Sequence, residues 1–197
     1  HNLYPKIEIN KEFRSALDIL QNSLKNVFIT GKAGTGKSTL LEYFRQNTKK
    51  NVVVLAPTGV AALNVKGQTI HSFFKFKPDI TLDKVKQIVK DRRKNLYQAA
   101  ETIVIDEISM VRADLLDCVD RFLQLNCVQK GKPFGNKQMV FIGDLYQLPP
   151  IIKGKEREIF KTHYETEYFF SAQSFESLPM EFIELVKIYR QKDEQFI

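Results

Sequence analysis

The chain has 197 residues, 43% of them hydrophobic and 27% charged, which suits one ordinary domain with a sizeable core and excludes disorder over its whole length. No apolar run approaches the ~20 residues needed to cross a bilayer, and the first residues carry no signal-peptide core. Thirty Lys and Arg against 23 Asp and Glu give a net charge of +7, compatible with a polyanionic partner but not diagnostic of one.

In chain order, Ile9, Phe13, Ala16, Leu17 and Leu20 recur at helical spacing and predict an amphipathic helix over residues 10–22. Four short apolar runs then read as buried strands: Val27-Phe28-Ile29, Val52-Val53-Val54-Leu55, Ile103-Val104-Ile105 and Val140-Phe141-Ile142. Their near-continuous apolar character suits a parallel sheet covered on both faces. Helical stretches are predicted over residues 36–46, 59–63, 82–93 and 112–125, with later strands over 168–170 and 182–185. This alternation implies an α/β fold, a mostly parallel sheet sandwiched between helices. Residues 1–25 read as a helical lead-in and 26–197 as the main domain. The basic residues Lys84, Lys86, Lys90, Arg92, Arg93 and Lys94 read as a solvated helix face. Cys118 and Cys127 lack the spacing of a metal site and read as reduced thiols.

Gly31-Lys32-Ala33-Gly34-Thr35-Gly36-Lys37-Ser38 matches GxxxxGK[ST] in full, between a predicted strand and a predicted helix. Glycines let backbone amides turn inward around phosphate oxygens, and the helix start adds partial positive charge. Lys37 supplies a point charge to the terminal phosphates and the Ser38 hydroxyl a magnesium ligand. Gly31, Ala33, Gly34, Thr35, Gly36, Lys37, Ser38 and Thr39 are therefore the expected binding residues for ATP with Mg2+.

The third apolar run ends in Asp106-Glu107. Asp106 is placed to reach the magnesium held by Ser38, and Glu107 to orient and deprotonate water as a general base. Adjacent carboxylates favour hydrolysis over phosphate transfer to a small acceptor, which must exclude water. After the fourth run, Gln147 offers an amide that can contact both a γ-phosphate and the attacking water. An ordinary proline-stiffened turn is the other reading of that segment.

Taken together, GKAGTGKST (31–39), APTGVAA (56–62), GQTIHSFF (67–74), IDEISMV (105–111) and GDLYQLPP (143–150) resemble superfamily 1 DNA helicases of subfamily B, most closely the petite-integration-frequency (PIF) family. Pro133-Phe134-Gly135 looks like part of that family's signature segment, and the resemblance covers residues 10–191. It implies a RecA-like P-loop NTPase fold and ATP-driven, 5′ to 3′ unwinding of DNA, in genome maintenance such as repair, recombination and telomere upkeep. Carried over by position, it also implies that Arg190, in Tyr189-Arg190-Gln191, touches the γ-phosphate. Pro57, Thr58, Gly59, Thr69, His71 and Phe73 would lie along single-stranded DNA, although Phe73 and Phe74 read equally well as core residues.

Phe13 stands where many helicases carry a glutamine that reads adenine, so phosphate recognition is expected to outweigh adenine selectivity. The chain ends soon after the fourth family motif, so it is expected to be a monomeric fragment lacking the second RecA-like domain, with feeble hydrolysis on its own. An intracellular setting is expected: cytoplasmic in a bacterium, nuclear or mitochondrial in a eukaryote. A nucleotide-switched DNA-binding module without unwinding activity is the rival reading.

Overall fold

The computed structural model describes residues 10–89, 92–144 and 169–186. Helix α1 (Lys11–Asn22) opens where the Asn10 side chain accepts a 2.8 Å hydrogen bond from the Phe13 amide, which satisfies one of the donors a helix start leaves over. Of its predicted apolar stripe, Phe13, Ala16 and Leu20 lie in the core and Leu17 is partly buried, while Ile9 lies outside the described residues. Strand β1 (Asn26–Thr30) leads through the glycine-rich loop into α2 (Lys37–Asn47). Next come β2 (Val52–Ala56), α3 (Gly59–Asn64), the two-residue strand β3 (Gln68–Thr69) and α4 (Ile70–Phe74). Then α5 (Arg93–Ala99), β4 (Thr102–Ile105), α6 (Ala113–Asn126) and β5 (Gln138–Gly143) follow, and α7 (Gln173–Glu176) precedes β6 (Met180–Glu184).

The six strands form one sheet in the order β3-β2-β4-β5-β1-β6, with every neighbouring pair parallel. Alternate residues divide between two cores, as the period of a strand requires. Phe28, Ile103, Ile105 and Phe141 face the α6 side with Leu116, Val119 and Phe122. Val27, Ile29, Val104, Val140 and Ile142 face α1 and α2, against Phe13, Leu40 and Phe44. The result is the expected RecA-like sandwich, with helices covering both faces of a parallel sheet.

Two predicted elements take other forms. The helix expected over residues 82–93 is a 3-10 turn at Leu82–Lys84 followed by non-helical chain to residue 89, and α5 begins only at Arg93. Val85 is buried and Ile88 partly buried against the core under α6. Asn126 of α6 supplies the backbone with substitute partners: its Oδ1 accepts from the Ile88 amide at 2.7 Å, and its Nδ2 donates to the Lys86 carbonyl at 3.2 Å. The strand expected over 168–170 is instead a 3-10 turn at Phe169–Ser171. Turning there buries Phe169, stacked on Phe28 with centroids 5.5 Å apart, and leaves Phe170 at the surface.

The segment before β6 is anchored by a buried carboxylate. Asp117 of α6 accepts from the Ser174 amide at 2.9 Å, the Ser174 hydroxyl at 2.6 Å and the Gln173 amide at 3.3 Å. Asp117→Ala strands buried donors, so urea denaturation should show a loss of about 2 kcal/mol or more; a midpoint matching wild type would contradict this anchoring.

Candidate active site

The register of the central strands brings the ends of β1, β4 and β5 to one edge. Thr30 lies opposite Gly143, and Ile105 opposite Phe141. The loop after β1, the Asp106-Glu107 pair after β4 and Asp144 after β5 therefore emerge side by side, within two strand spacings, about 10 Å. This is the edge where open α/β sheets bind ligands.

The loop is shaped by its own hydrogen bonds. The Thr35 hydroxyl donates to the Lys32 carbonyl at 2.7 Å, and the Thr35 amide to the same oxygen at 3.2 Å. Gly36 caps α2 at φ 95°, left-handed backbone that glycine adopts without a Cβ penalty. Gly31 is required by close approach, since a Cβ there would sit 2.9 Å from the Leu185 carbonyl oxygen. Lys37 folds across the loop, its Nζ donating to the carbonyls of Gly31 and Lys32. Ser38 is exposed on the first turn of α2.

The carboxylates feel that lysine. Burial pushes the Asp106 carboxyl above the ordinary carboxylate range, while the Glu107 amide and the Lys37 ammonium pull it down. Burial and then Asp106 raise Glu107; Lys37 opposes them and Asp144 adds a smaller push upward. Lys37, Asp106, Glu107 and Asp144 thus form one electrostatic group. Asp144 lies in the GDLYQLPP stretch (143–150), and the parallel pairing of β5 with β1 and β4 is what brings it beside this group.

Glu107 has a left-handed backbone, φ 52° and ψ 43°, uncommon for a residue with a side chain. The chain doubles back there into a 3-10 turn at Ile108–Met110, closed by the Met110 amide donating to the Glu107 carbonyl at 3.0 Å. Gly143 makes room for this turn: a Cβ would come within 2.8 Å of Ile108 Cγ2.

Among the described residues no group of three or more His, Cys, Asp or Glu is arranged to hold a metal by itself. One exposed hydroxyl at Ser38 and one carboxylate at Asp106 nevertheless fit magnesium, which usually takes one or two protein oxygens plus phosphate and water.

The predicted DNA residues separate into two groups. Thr58 and Thr69 cap α3 and α4, their hydroxyl oxygens accepting from the Ala61 amide at 3.2 Å and the Ser72 amide at 3.1 Å. Each keeps an O–H proton to donate. Pro57 is half-buried beside Gly59, where an added Cβ would meet nothing within 4 Å. His71 is half-buried, and burial lowers its pKa. Phe73 is corrected: it is 4% exposed and packs edge-on against Phe74 and Tyr97, centroids 4.9 and 5.2 Å away. Its ring belongs to the core and offers no face to a base. Gln147 and Arg190 lie outside the described residues.

Because burial disfavours the imidazolium, His71 should be neutral at pH 7, so a DNA contact there would be hydrogen bonding or stacking. NMR titration of its ring protons should give a midpoint below the ordinary 6.5; a midpoint above that value would show that burial does not govern this ring.

Comparison with known proteins sharpens the picture. The model of the PIF1-like helicase family matches residues 8–196. The ATP-dependent DNA helicase PIF1 of Saccharomyces cerevisiae is 38% identical over 200 residues, covering 96% of this chain and 22% of that protein. The Pif1 helicase of Psychrobacter is 43% identical over 147 residues, or 70% of this chain and 21% of that protein. Among solved structures, Bacteroides Pif1 in complex with ADP-AlF3 and single-stranded DNA superposes with a TM-score of 0.85 at 39% identity, covering 96% of this chain and 44% of that one. Pif1 of Candida albicans superposes at 0.73 with 32% identity, covering 96% of this chain and 42% of that one. The chain thus spans under half the length of these solved relatives and about a fifth of these curated ones.

Proposed function

Since the chain belongs to the PIF1-like helicase family, we propose that it is the ATP-binding motor domain of a DNA helicase that moves 5′ to 3′ along single-stranded DNA. The observation that carries this reading is the electrostatic group formed by Lys37, Asp106 and Glu107 beside the phosphate loop.

In this reading the amides of residues 33–39 cradle the phosphates of ATP, and Lys37 exchanges the Gly31 and Lys32 carbonyls for phosphate oxygens. Ser38 and Asp106 would hold magnesium, which would supply positive charge beside the transferring phosphoryl group. Glu107, ionised, orients water for in-line attack and accepts its proton. Its left-handed turn places the carboxylate by backbone geometry rather than by a flexible loop. Gln147 and Arg190 are assigned to the γ-phosphate. Thr58, Gly59, Thr69 and His71 are assigned to the DNA strand, with hydroxyls and backbone gripping phosphates. The repair, recombination and telomere roles, and a second RecA-like domain completing the site, follow from the same family reading. The names and complexes of the relatives support it: ATP-dependent DNA helicases, and Bacteroides Pif1 with ADP-AlF3 and single-stranded DNA.

Calorimetry with a non-hydrolysable ATP analogue and magnesium tests the binding half. Lys37→Ala should weaken affinity about tenfold or more, as loss of a charge-assisted contact of ~1.5–3 kcal/mol requires. Glu107→Gln should keep analogue affinity but cut phosphate release about 100-fold or more. Affinity indifferent to Lys37→Ala, or undiminished hydrolysis by Glu107→Gln, would sink the assignment.

A further inference from the structure

The turn joining α3 to β3 is held by a side chain from the phosphate-loop helix. Arg45, in the last turn of α2, donates from Nη1 to the Val65 carbonyl at 2.5 Å and from Nη2 to the Lys66 carbonyl at 3.2 Å. These carbonyls end α3, where helix geometry leaves acceptors without partners and favours a cation. Val65 also packs into the same core as Leu40, Leu41 and Phe44 of α2.

The turn has little freedom of its own. The Gly67 amide donates to the Ala62 carbonyl at 2.8 Å and the Lys66 amide to the Leu63 carbonyl at 3.1 Å, a paired helix-ending motif that needs a left-handed residue. Lys66 fills that position at φ 50°, where glycine is the usual occupant. A Cβ on Gly67 would collide with the Val54 carbonyl of β2, so the chain passes directly against the sheet. Arg45 therefore grips a strained, tightly seated turn.

What lies on either side gives the contact its meaning. Thr58 and Gly59 start the helix that ends in this turn, and Thr69 and His71 follow it within five residues. Lys37 and Ser38 begin the helix that carries Arg45, about 12 Å away along its axis. In the sheet, β1 and β2 are separated by β5 and β4, so the phosphate loop itself reaches the 58–71 segment through α2, beside the pairing of β4 with β2 that sets Asp106 next to Leu55. A rigid helix with a phosphate site at one end and a bidentate grip on the DNA-facing turn at the other can pass a displacement between them.

We propose that Arg45 is a positioning residue that couples nucleotide binding at the phosphate loop to DNA binding by the 58–71 segment. This rests on the helicase-domain reading above, and it concerns a residue that touches neither ligand.

The test measures oligo(dT) affinity by fluorescence anisotropy with and without a magnesium-bound, non-hydrolysable ATP analogue. In the unaltered chain the analogue should change that affinity about fivefold or more, the lower end of ordinary allosteric coupling. In Arg45→Met each ligand alone should bind nearly as before, while the change falls toward none; Arg45→Lys, which can still donate to both carbonyls, should keep part of it. Lys66→Gly relieves the left-handed position, so the double variant Arg45→Met/Lys66→Gly should melt like the unaltered chain yet stay uncoupled. If the double variant regains coupling, Arg45 is only a structural cap and the inference fails. It fails equally if Arg45→Met couples normally, or if the unaltered chain binds both ligands independently. A chain that binds neither ligand would overturn the underlying functional reading instead.

Discussion

The site depends on one ammonium, that of Lys37, standing beside two carboxylates whose ionised form burial disfavours. Asp106 and Glu107 are adjacent in sequence and partly buried; burial raises both, and Asp106 raises Glu107 further. A protonated Glu107 could not accept a proton from water, and a protonated Asp106 would be a poor ligand for a hard cation. The lysine favours the ionised form of both from the neighbouring phosphate loop, and it does so before any phosphate arrives. A divalent ion and a triphosphate would then enter a site whose charges are already arranged, which lowers the reorganisation demanded at the moment of reaction.

That electrostatic arrangement needs a backbone to hold it, and the strain is local. A non-glycine residue in left-handed geometry costs of order 1–2 kcal/mol, so Glu107 is held there by its surroundings. The 3-10 turn after it buries Ile108 and Ser109, and Ile108 sits against the one position of β5 that has no side chain, Gly143. Gly143 is followed at once by Asp144, which adds to the field on Glu107. The ends of β4 and β5 are therefore in steric and electrostatic contact, and any movement of the chain leaving β5 is felt by the proposed general base.

Much of this was legible from residue order because the chemistry is local. A phosphate loop is eight consecutive residues, and an apolar strand ending in Asp106-Glu107 is six, so spacing alone carries the signal. The four central strands were equally plain, since burial on both faces leaves near-continuous apolar runs. The misreadings share a different cause: each was decided by a partner far along the chain. The 82–93 segment looked helical by composition, but Asn126 takes over its backbone hydrogen bonds from 38 and 40 residues away. Phe73 could be a base platform or a core residue until Tyr97 and Phe74 closed around it. Arg45 had no motif to announce it, because its partners are backbone carbonyls and any sequence supplies those.

The two ends of the sheet show why one edge reacts and the other does not, although both carry the same residue types. At the opposite edge Lys50 donates to the carbonyls of Leu20 and Ser23 and to Gln138 Oε1, and Gln138 in turn accepts from the Thr102 hydroxyl and donates to the carbonyls of Ser23 and Lys25. That network ties α1, β4 and β5 together and satisfies the amide of Gln138 from several sides, so its polar groups hold the fold together. At the active edge Lys37 leans on two loop carbonyls, Ser38 faces solvent, and the Glu107 amide and the Lys37 ammonium favour the ionised Asp106. Parallel strands start at one edge and end at the other, so the chain enters the first from helix ends and leaves the second through loops and helix starts. Helix starts present amides to anions, and the loops before them are free to be shaped by function. The polarity of the sheet, set by burying apolar strands on both faces, thus decides which lysine becomes a rivet and which becomes the centre of a phosphate site.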